Sequence, residues 1–175
     1  LEFRRVLFRS MNTNIVDNLS ISGNGVNGIT LTSLGGSAQR AVIENAAAGV
    51  GPTFLDVTGN LGTGIDLIAG NDLNGSQSFV EAFIRNVNTS GNGNHGFNIA
   101  SSDAAHVDVF ADNVVSVGNF AHGMNINVTA KDAPPYFPPV LNRITLVDST
   151  MDANGGNGLT LRTYGGDRKS TRLNS

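Results

Sequence analysis

Apolar and polar residues alternate along this chain in short runs, and the runs recur with the same preamble. Five segments align without gaps: "GNGVNGITL" (Gly23–Leu31), "GNLGTGIDL" (Gly59–Leu67), "GNGNHGFNI" (Gly91–Ile99), "GNFAHGMNI" (Gly118–Ile126) and "ANGGNGLTL" (Ala153–Leu161). Each reads small–Asn–x–x–x–Gly–apolar–polar–apolar. The fixed glycines Gly28, Gly64, Gly96, Gly123 and Gly158 stand 36, 32, 27 and 35 residues apart. Alternation with period two marks a strand with one buried face. It predicts Ile29, Ile65, Phe97, Met124 and Leu159 inward, and with them Leu31, Leu67, Ile99, Ile126 and Leu161. Thr30, Asp66, Asn98, Asn125 and Thr160 should face out.

A second, weaker strand precedes each turn, as in "NLSIS" (Asn18–Ser22), "FLDVT" (Phe54–Thr58), "NVNTS" (Asn86–Ser90) and "NVVSV" (Asn113–Val117), with "DSTMD" (Asp148–Asp152) the least regular copy. A third lies further upstream in "VEAFIR" (Val80–Arg85), "VDVFA" (Val107–Ala111) and "RITLV" (Arg143–Val147). No segment sustains a 3.6-residue period. "AVIENAAAG" (Ala41–Gly49) is the one helical candidate, and its Val42 and Ile43 suit a strand equally well. One such unit is too thin to bury its own apolar residues, whereas stacked units bury a continuous column. The expectation is an all-β chain: a right-handed parallel β-helix, a solenoid of about five coils with three short strands per coil. The longest excursion, Thr129–Asn142, holds four prolines, which exclude it from a sheet interior.

The pattern Asn-x-x-x-x-Gly-Asn-x-x-x-Gly-apolar-x-apolar resembles the repeat of the pectin-lyase-like right-handed parallel β-helix family, across essentially all of residues 11–166. In that family stacked asparagines in a tight turn form a ladder. By resemblance, Asn24, Asn60, Asn92, Asn119 and Asn154 form one here. Asn18, Asn86, Asn113 and Asp148 form a partial second, broken by Phe54 in the second copy. An amide carries donors and an acceptor, so identical neighbours can pair indefinitely along an axis. The fixed glycines fit the left-handed residue that ends such turns. The resemblance also implies an exported bacterial protein, extracellular or at the cell surface.

The ends stand apart from this pattern. The first ten residues, Leu1–Ser10, and the last nine, Asp167–Ser175, can be encoded by opposite strands of one DNA sequence. The pair resembles translated sequencing-adapter sequence. The expectation is that residues 1–10 and 167–175 are not native, and that 11–166 is one continuous β-helix fragment. The ends hold six of the chain's 11 Lys and Arg and two of its 14 acids. Residues 11–166 keep five bases and 12 acids, a net charge of −7. Nucleic acid and anionic membranes need clustered Lys and Arg, so neither is expected as a partner. No apolar run is long enough to insert in a membrane as a helix. The chain has no Cys, which excludes disulfides and thiolate metal sites. The 22 glycines and the many asparagines do not signal disorder, because the apolar residues are periodic.

Candidate chemistry is sparse. His95 and His122 share one repeat position, so stacked strands would bring them about 5 Å apart. Such a pair could bind a metal or shuttle protons, but Asn27, Thr63 and Asn157 occupy the same position in the other copies. Asp108, Asp112 and Asp148 could hold Ca2+ or do acid–base work; otherwise no cofactor is expected. The outward column Thr30–Asp66–Asn98–Asn125–Thr160 repeats polar groups at strand spacing, suited to an extended polysaccharide or cell-surface glycan. Tyr136 and Phe137, in the proline-rich loop, are the aromatic pair available for stacking on a sugar, and without Trp that platform is thin. Polysaccharide lyases and glycoside hydrolases of the resembling family use clustered Asp with a His or Arg base. No Asn-Thr-Asp, Asp-Asp or Arg-x-Lys motif is present here, so the catalytic residues stay unknown. The expected role is structural, adhesive or glycan-binding. The alternative is a fragment of a polysaccharide lyase, glycoside hydrolase or epimerase. The oligomeric state stays open.

Overall fold

The structure is a computed structural model, and it describes residues 10–16, 20–34, 38–45, 54–70, 78–102, 106–129 and 142–164. Among these there is no helix. Every strand pairing is parallel, and the strands form two sheets. The first sheet has strand order β1-β3-β6-β8-β10, with β4 paired to β6. It is built from β1 (Ser10–Val16), β3 (Ala38–Glu44), β4 (Leu55–Asp56), β6 (Phe79–Asn88), β8 (His106–Val115) and β10 (Asn142–Val147). The second has the order β11-β9-β7-β5-β2, from β2 (Ile29–Ser33), β5 (Ile65–Ala69), β7 (Phe97–Ser102), β9 (Met124–Thr129) and β11 (Leu159–Tyr164). Apart from β3 and β4, which follow one another in the first sheet, the chain alternates between the sheets, and each strand pairs with the strand one repeat away. The helical candidate at Ala41–Gly49 begins as strand, with Ala41–Glu44 in β3.

The second sheet carries the predicted alternation. Its registers run Ile29↔Ile65↔Phe97↔Met124↔Leu159 and Leu31↔Leu67↔Ile99↔Ile126↔Leu161. All of these through β9 are buried. Facing them are Ala41 and Ile43, then Val80, Ala82 and Ile84, then Val107, Val109 and Ala111 of the first sheet, in the same core. The alternation fails at β11, where Leu161 is 52% exposed and Thr160 only 8%. β11 ends the strand order among the described residues, so Leu161 has a neighbouring strand on one side alone. Thr160 was expected outside. Asn157 donates to its hydroxyl at 3.3 Å, as Asn27 does to the exposed Thr30 at 3.2 Å.

Three separate strands form in the repeat of β3, β4 and β5, but not in the two repeats that follow. The second and third predicted strands run on as one in β6 and β8, through a bend at Asn86 (φ 52°) and Asn113 (φ 50°). Asp148 repeats the bend beyond β10 (φ 45°). Asn and Asp tolerate this left-handed conformation better than other residues with a Cβ. The partial ladder follows the bend: Asn113 donates to Asn86 Oδ1 at 2.8 Å, and Asn86 donates to the Asn45 carbonyl at 3.0 Å. Asn45 follows Glu44, which pairs with Arg85. It therefore holds the position assigned above to Phe54. Asn18 lies outside the described residues.

Candidate functional site

The turn that leads into the second sheet, Gly23–Gly28 and its four equivalents, has the same length in all five copies, and it holds the densest polar network among the described residues. Asn24 donates to Asn60 Oδ1 at 2.8 Å, Asn60 to Asn92 at 3.0 Å, Asn92 to Asn119 at 3.2 Å and Asn119 to Asn154 at 3.0 Å. Each acceptor oxygen also takes the backbone N–H of the preceding asparagine, at 2.9–3.1 Å. The remaining amide hydrogens are placed as well: Asn60 reaches the Ile21 carbonyl, Asn92 the Thr89 carbonyl and Asn119 the Ser116 hydroxyl. Asn60, Asn92 and Asn119 are buried, so these bonds keep polar groups out of a desolvated, unpaired state.

The glycines divide this turn differently from expectation. The left-handed residue is the first of the motif: Gly23, Gly59, Gly91 and Gly118 have φ of 64–68°, and Ala153 has 49°. The later fixed glycines do not have positive φ. They are there for space. A Cβ on Gly28, Gly64, Gly96 or Gly123 would lie 2.6–2.8 Å from the carbonyl oxygen of the equivalent glycine one repeat on.

His95 and His122 sit just before two of these glycines. Their rings stack, with centroids 5.2 Å apart and planes 5° from parallel. The His122 backbone N–H donates to His95 Nδ1 at 3.2 Å, and the Asn157 N–H donates to His122 Nδ1 at 2.9 Å. In the first repeat Asn27 Oδ1 accepts the N–H of Thr63 at 2.9 Å in the same way. The ring nitrogen thus replaces an amide oxygen as a link between repeats. Accepting at Nδ1 requires the proton to sit on Nε2. Burial lowers the pKa of His95 from its ordinary value, His122 lowers it further, and Asp66 opposes both. Neither Nδ1 is open to a metal ion while these bonds stand.

The outward column is itself bonded. Asp66 accepts from Asn98 at 2.8 Å and from Asn27 at 2.9 Å, and Asn98 Oδ1 accepts from Asn125 at 2.8 Å. Thr30 lies beside Asn27 at 3.2 Å. Thr160 continues the register and is covered. The structure therefore joins Thr30, Asp66, Asn98 and Asn125 with Asn27 in one polar strip on the second sheet.

The acids do not converge. Asp108 and Asp112 lie on the outer face of β8, four residues apart, about 13 Å at strand rise. Arg143 donates to Asp108 through Nη2 at 2.6 Å and Nε at 3.1 Å, and Asp108 in turn raises the pKa of Arg143. Asp112 is bridged to Arg85 at 3.2 Å, and Arg40 to Glu81. Asp148 belongs to the bend. Two oxygens on one Ca2+ lie within about 5 Å of each other, and among the described residues no three His, Cys, Asp or Glu cluster to hold a metal ion. Between the charged rows runs one feature the sequence reading missed: Phe83 and Phe110 stack at 5.3 Å, 6° from parallel, on that outer face. The signal was present, since "VEAF" and "VDVF" put Phe in the outward phase of adjacent repeats. His106 lies at its edge, 6.4 Å from the Phe79 ring. Stacked along the strand-pairing direction, the two rings face each other, and each stays 36% exposed. Tyr136 and Phe137 lie outside the described residues.

Comparison with family models, with curated proteins and with solved structures finds no match to this chain. No helix among the described residues is long and apolar enough to cross a membrane.

Proposed function

We propose that the chain is a stretch of right-handed parallel β-helix from an exported bacterial surface protein, with a structural or adhesive role, and that its polar strip binds extended glycans. The observation that carries this reading is the row Asp66–Asn98–Asn125, which offers amide and carboxylate groups at one-repeat spacing on one sheet face. Two parallel sheets in which each strand pairs with the strand one repeat away support the solenoid, and the crossover rule supports its right hand. The repeat resemblance supports export. The pairing of Asp108 and Asp112 with separate arginines favours a non-catalytic role over a lyase or hydrolase.

The test is direct binding to immobilised extended polysaccharides, neutral and uronate-containing, with product analysis of the same mixtures. Binding is expected, with loss in an Asn98→Ala/Asn125→Ala variant that melts as a folded protein. Bond cleavage, seen as new reducing ends or unsaturated products, would replace this reading with the enzymatic one. Binding unaffected by the double substitution would remove the strip from it.

A further inference from the structure

The three most exposed large apolar side chains of the described residues all lie on the asparagine turn: Val26 at 70%, Leu61 at 74% and Phe120 at 80%. The ladder beneath does not use them, because it needs only the asparagines and glycines. Single exposed apolar residues are ordinary; three on one edge are a patch. The edge is straight, since the turn has one length in every repeat and consecutive turns are hydrogen-bonded, as in Phe120 N–H to the Asn92 carbonyl at 2.9 Å. It also alternates. The residue after each ladder asparagine is Gly25, then Leu61, then Gly93, then Phe120, then Gly155. Knob and notch therefore succeed one another at about 4.8 Å, the strand spacing.

We infer that this edge is a self-association surface, on which a second copy of the chain docks antiparallel about a two-fold axis between the third and fourth repeats. Read backwards, the series superposes on itself: Leu61 meets the notch at Gly155, and Phe120 meets the notch at Gly93. The four places of the second to fifth repeats match in one register, as an isologous contact requires, and the first repeat, with Gly25 and Val26, lies beyond the overlap. Charge permits the approach. Residues 11–166 carry a net −7, yet no Asp, Glu, Lys or Arg lies in any of the five turns, Gly23–Gly28 through Ala153–Gly158. Depletion of charge is what the centre of a protein–protein contact shows. The side chains on the edge supply only a few hundred Å2 per partner, below the roughly 800 Å2 of a stable complex. The dimer is accordingly weak and becomes effective where copies are held close together. None of this depends on the glycan reading.

Sedimentation velocity of the full chain from about 10 µM to about 1 mM reads the association. The sedimentation coefficient should rise with concentration toward a dimer. A Leu61→Ser/Phe120→Ser variant, altered only at exposed side chains, should keep the wild-type melting curve and lose the rise. A wild type that stays monomeric, or a folded variant that associates equally, overturns the proposal. The chain lacks Cys, so Asn94→Cys and Ala121→Cys variants report the register. Mixed and oxidised, they should cross-link to each other in preference to themselves. Predominant self-cross-linking overturns the antiparallel arrangement. Flotation with neutral phosphatidylcholine vesicles, without self-association, would assign the edge to lipid instead.

Discussion

The Nδ1 atom of His95 accepts the backbone N–H of His122, where the first repeat uses the amide oxygen of Asn27 to accept the N–H of Thr63. An asparagine keeps its acceptor at every pH, but an imidazole loses it on protonation, because both ring nitrogens then donate. The lowered pKa of His95 fixes the sign of the consequence. The unfolded chain binds the proton more readily than the folded one, so stability rises with pH across the gap. The His95 contribution is complete above the unfolded value of about 6.5, and it is lost as pH falls through the folded value. A His95→Asn variant restores an acceptor that does not titrate. Thermal melts at pH 7.5 and pH 5.0 should therefore show a smaller drop in Tm for the variant than for the wild type. Equal drops would mean that the ring bond contributes nothing to holding the repeats together.

Two glycines of one turn show how an element encodes two different demands. Gly59 needs its backbone angle, φ 64°, and has open space where a Cβ would stand; the last repeat already carries Ala153 there. Gly64 needs the space, because a Cβ would press on the Gly96 carbonyl at 2.7 Å and on Asn92 Nδ2 at 2.8 Å. That carbonyl accepts the N–H of Ile65 at 2.9 Å and cannot retreat without loosening the sheet. Gly59→Ala should cost about 1–2 kcal/mol, the penalty of a left-handed L-residue, and Gly64→Ala about 3 kcal/mol or more, at the upper end of overpacking. Urea unfolding of the two variants checks the order, and a reversed order would refute the assignment of roles. Identity and spacing of these residues were legible in the sequence, because the turn tolerates no insertion and every copy aligns. Their division of labour was not, since both demands select glycine. The same limit explains Asn45. Excursions of unequal length separate the strands of the first sheet, and alignment by local spacing put Phe54 where the pairing puts Asn45. The candidate strip was legible as outward-facing residues, but its internal bonds depend on rotamers, and the burial of Thr160 does not follow from its place in the alternation, since β2, also at an end of the sheet, keeps that alternation.

At the scale of the whole molecule every strand pairing and every ladder bond joins one repeat to the next, so stability is close to a sum of nearest-neighbour terms. Leu67, Ile99 and Ile126 supply the apolar part of those terms, and the asparagine ladder supplies the polar part. Replacing Asn92 and Asn119 together by Ala removes the two central members. It leaves the Oδ1 of Asn154 and the Nδ2 of Asn60 without their ladder partners, and it strands backbone N–H groups in a buried turn. At about 1–2 kcal/mol for each buried amide bond lost, the double variant should lose a few kcal/mol, and an unchanged melting temperature would refute the ladder. Where the loss falls is the sharper test. A globally cooperative core would lower hydrogen-exchange protection everywhere by the same amount. A chain of neighbour terms lowers it most at the interfaces around the deletion, as at the N–H groups of Phe97 and Met124, which bond to the Gly123 and Gly158 carbonyls at 2.9 and 2.8 Å. The β2–β5 pairing, one interface further away, should keep more of its protection. Uniform loss of protection in the double variant would show that the repeats unfold as one block rather than as linked neighbours.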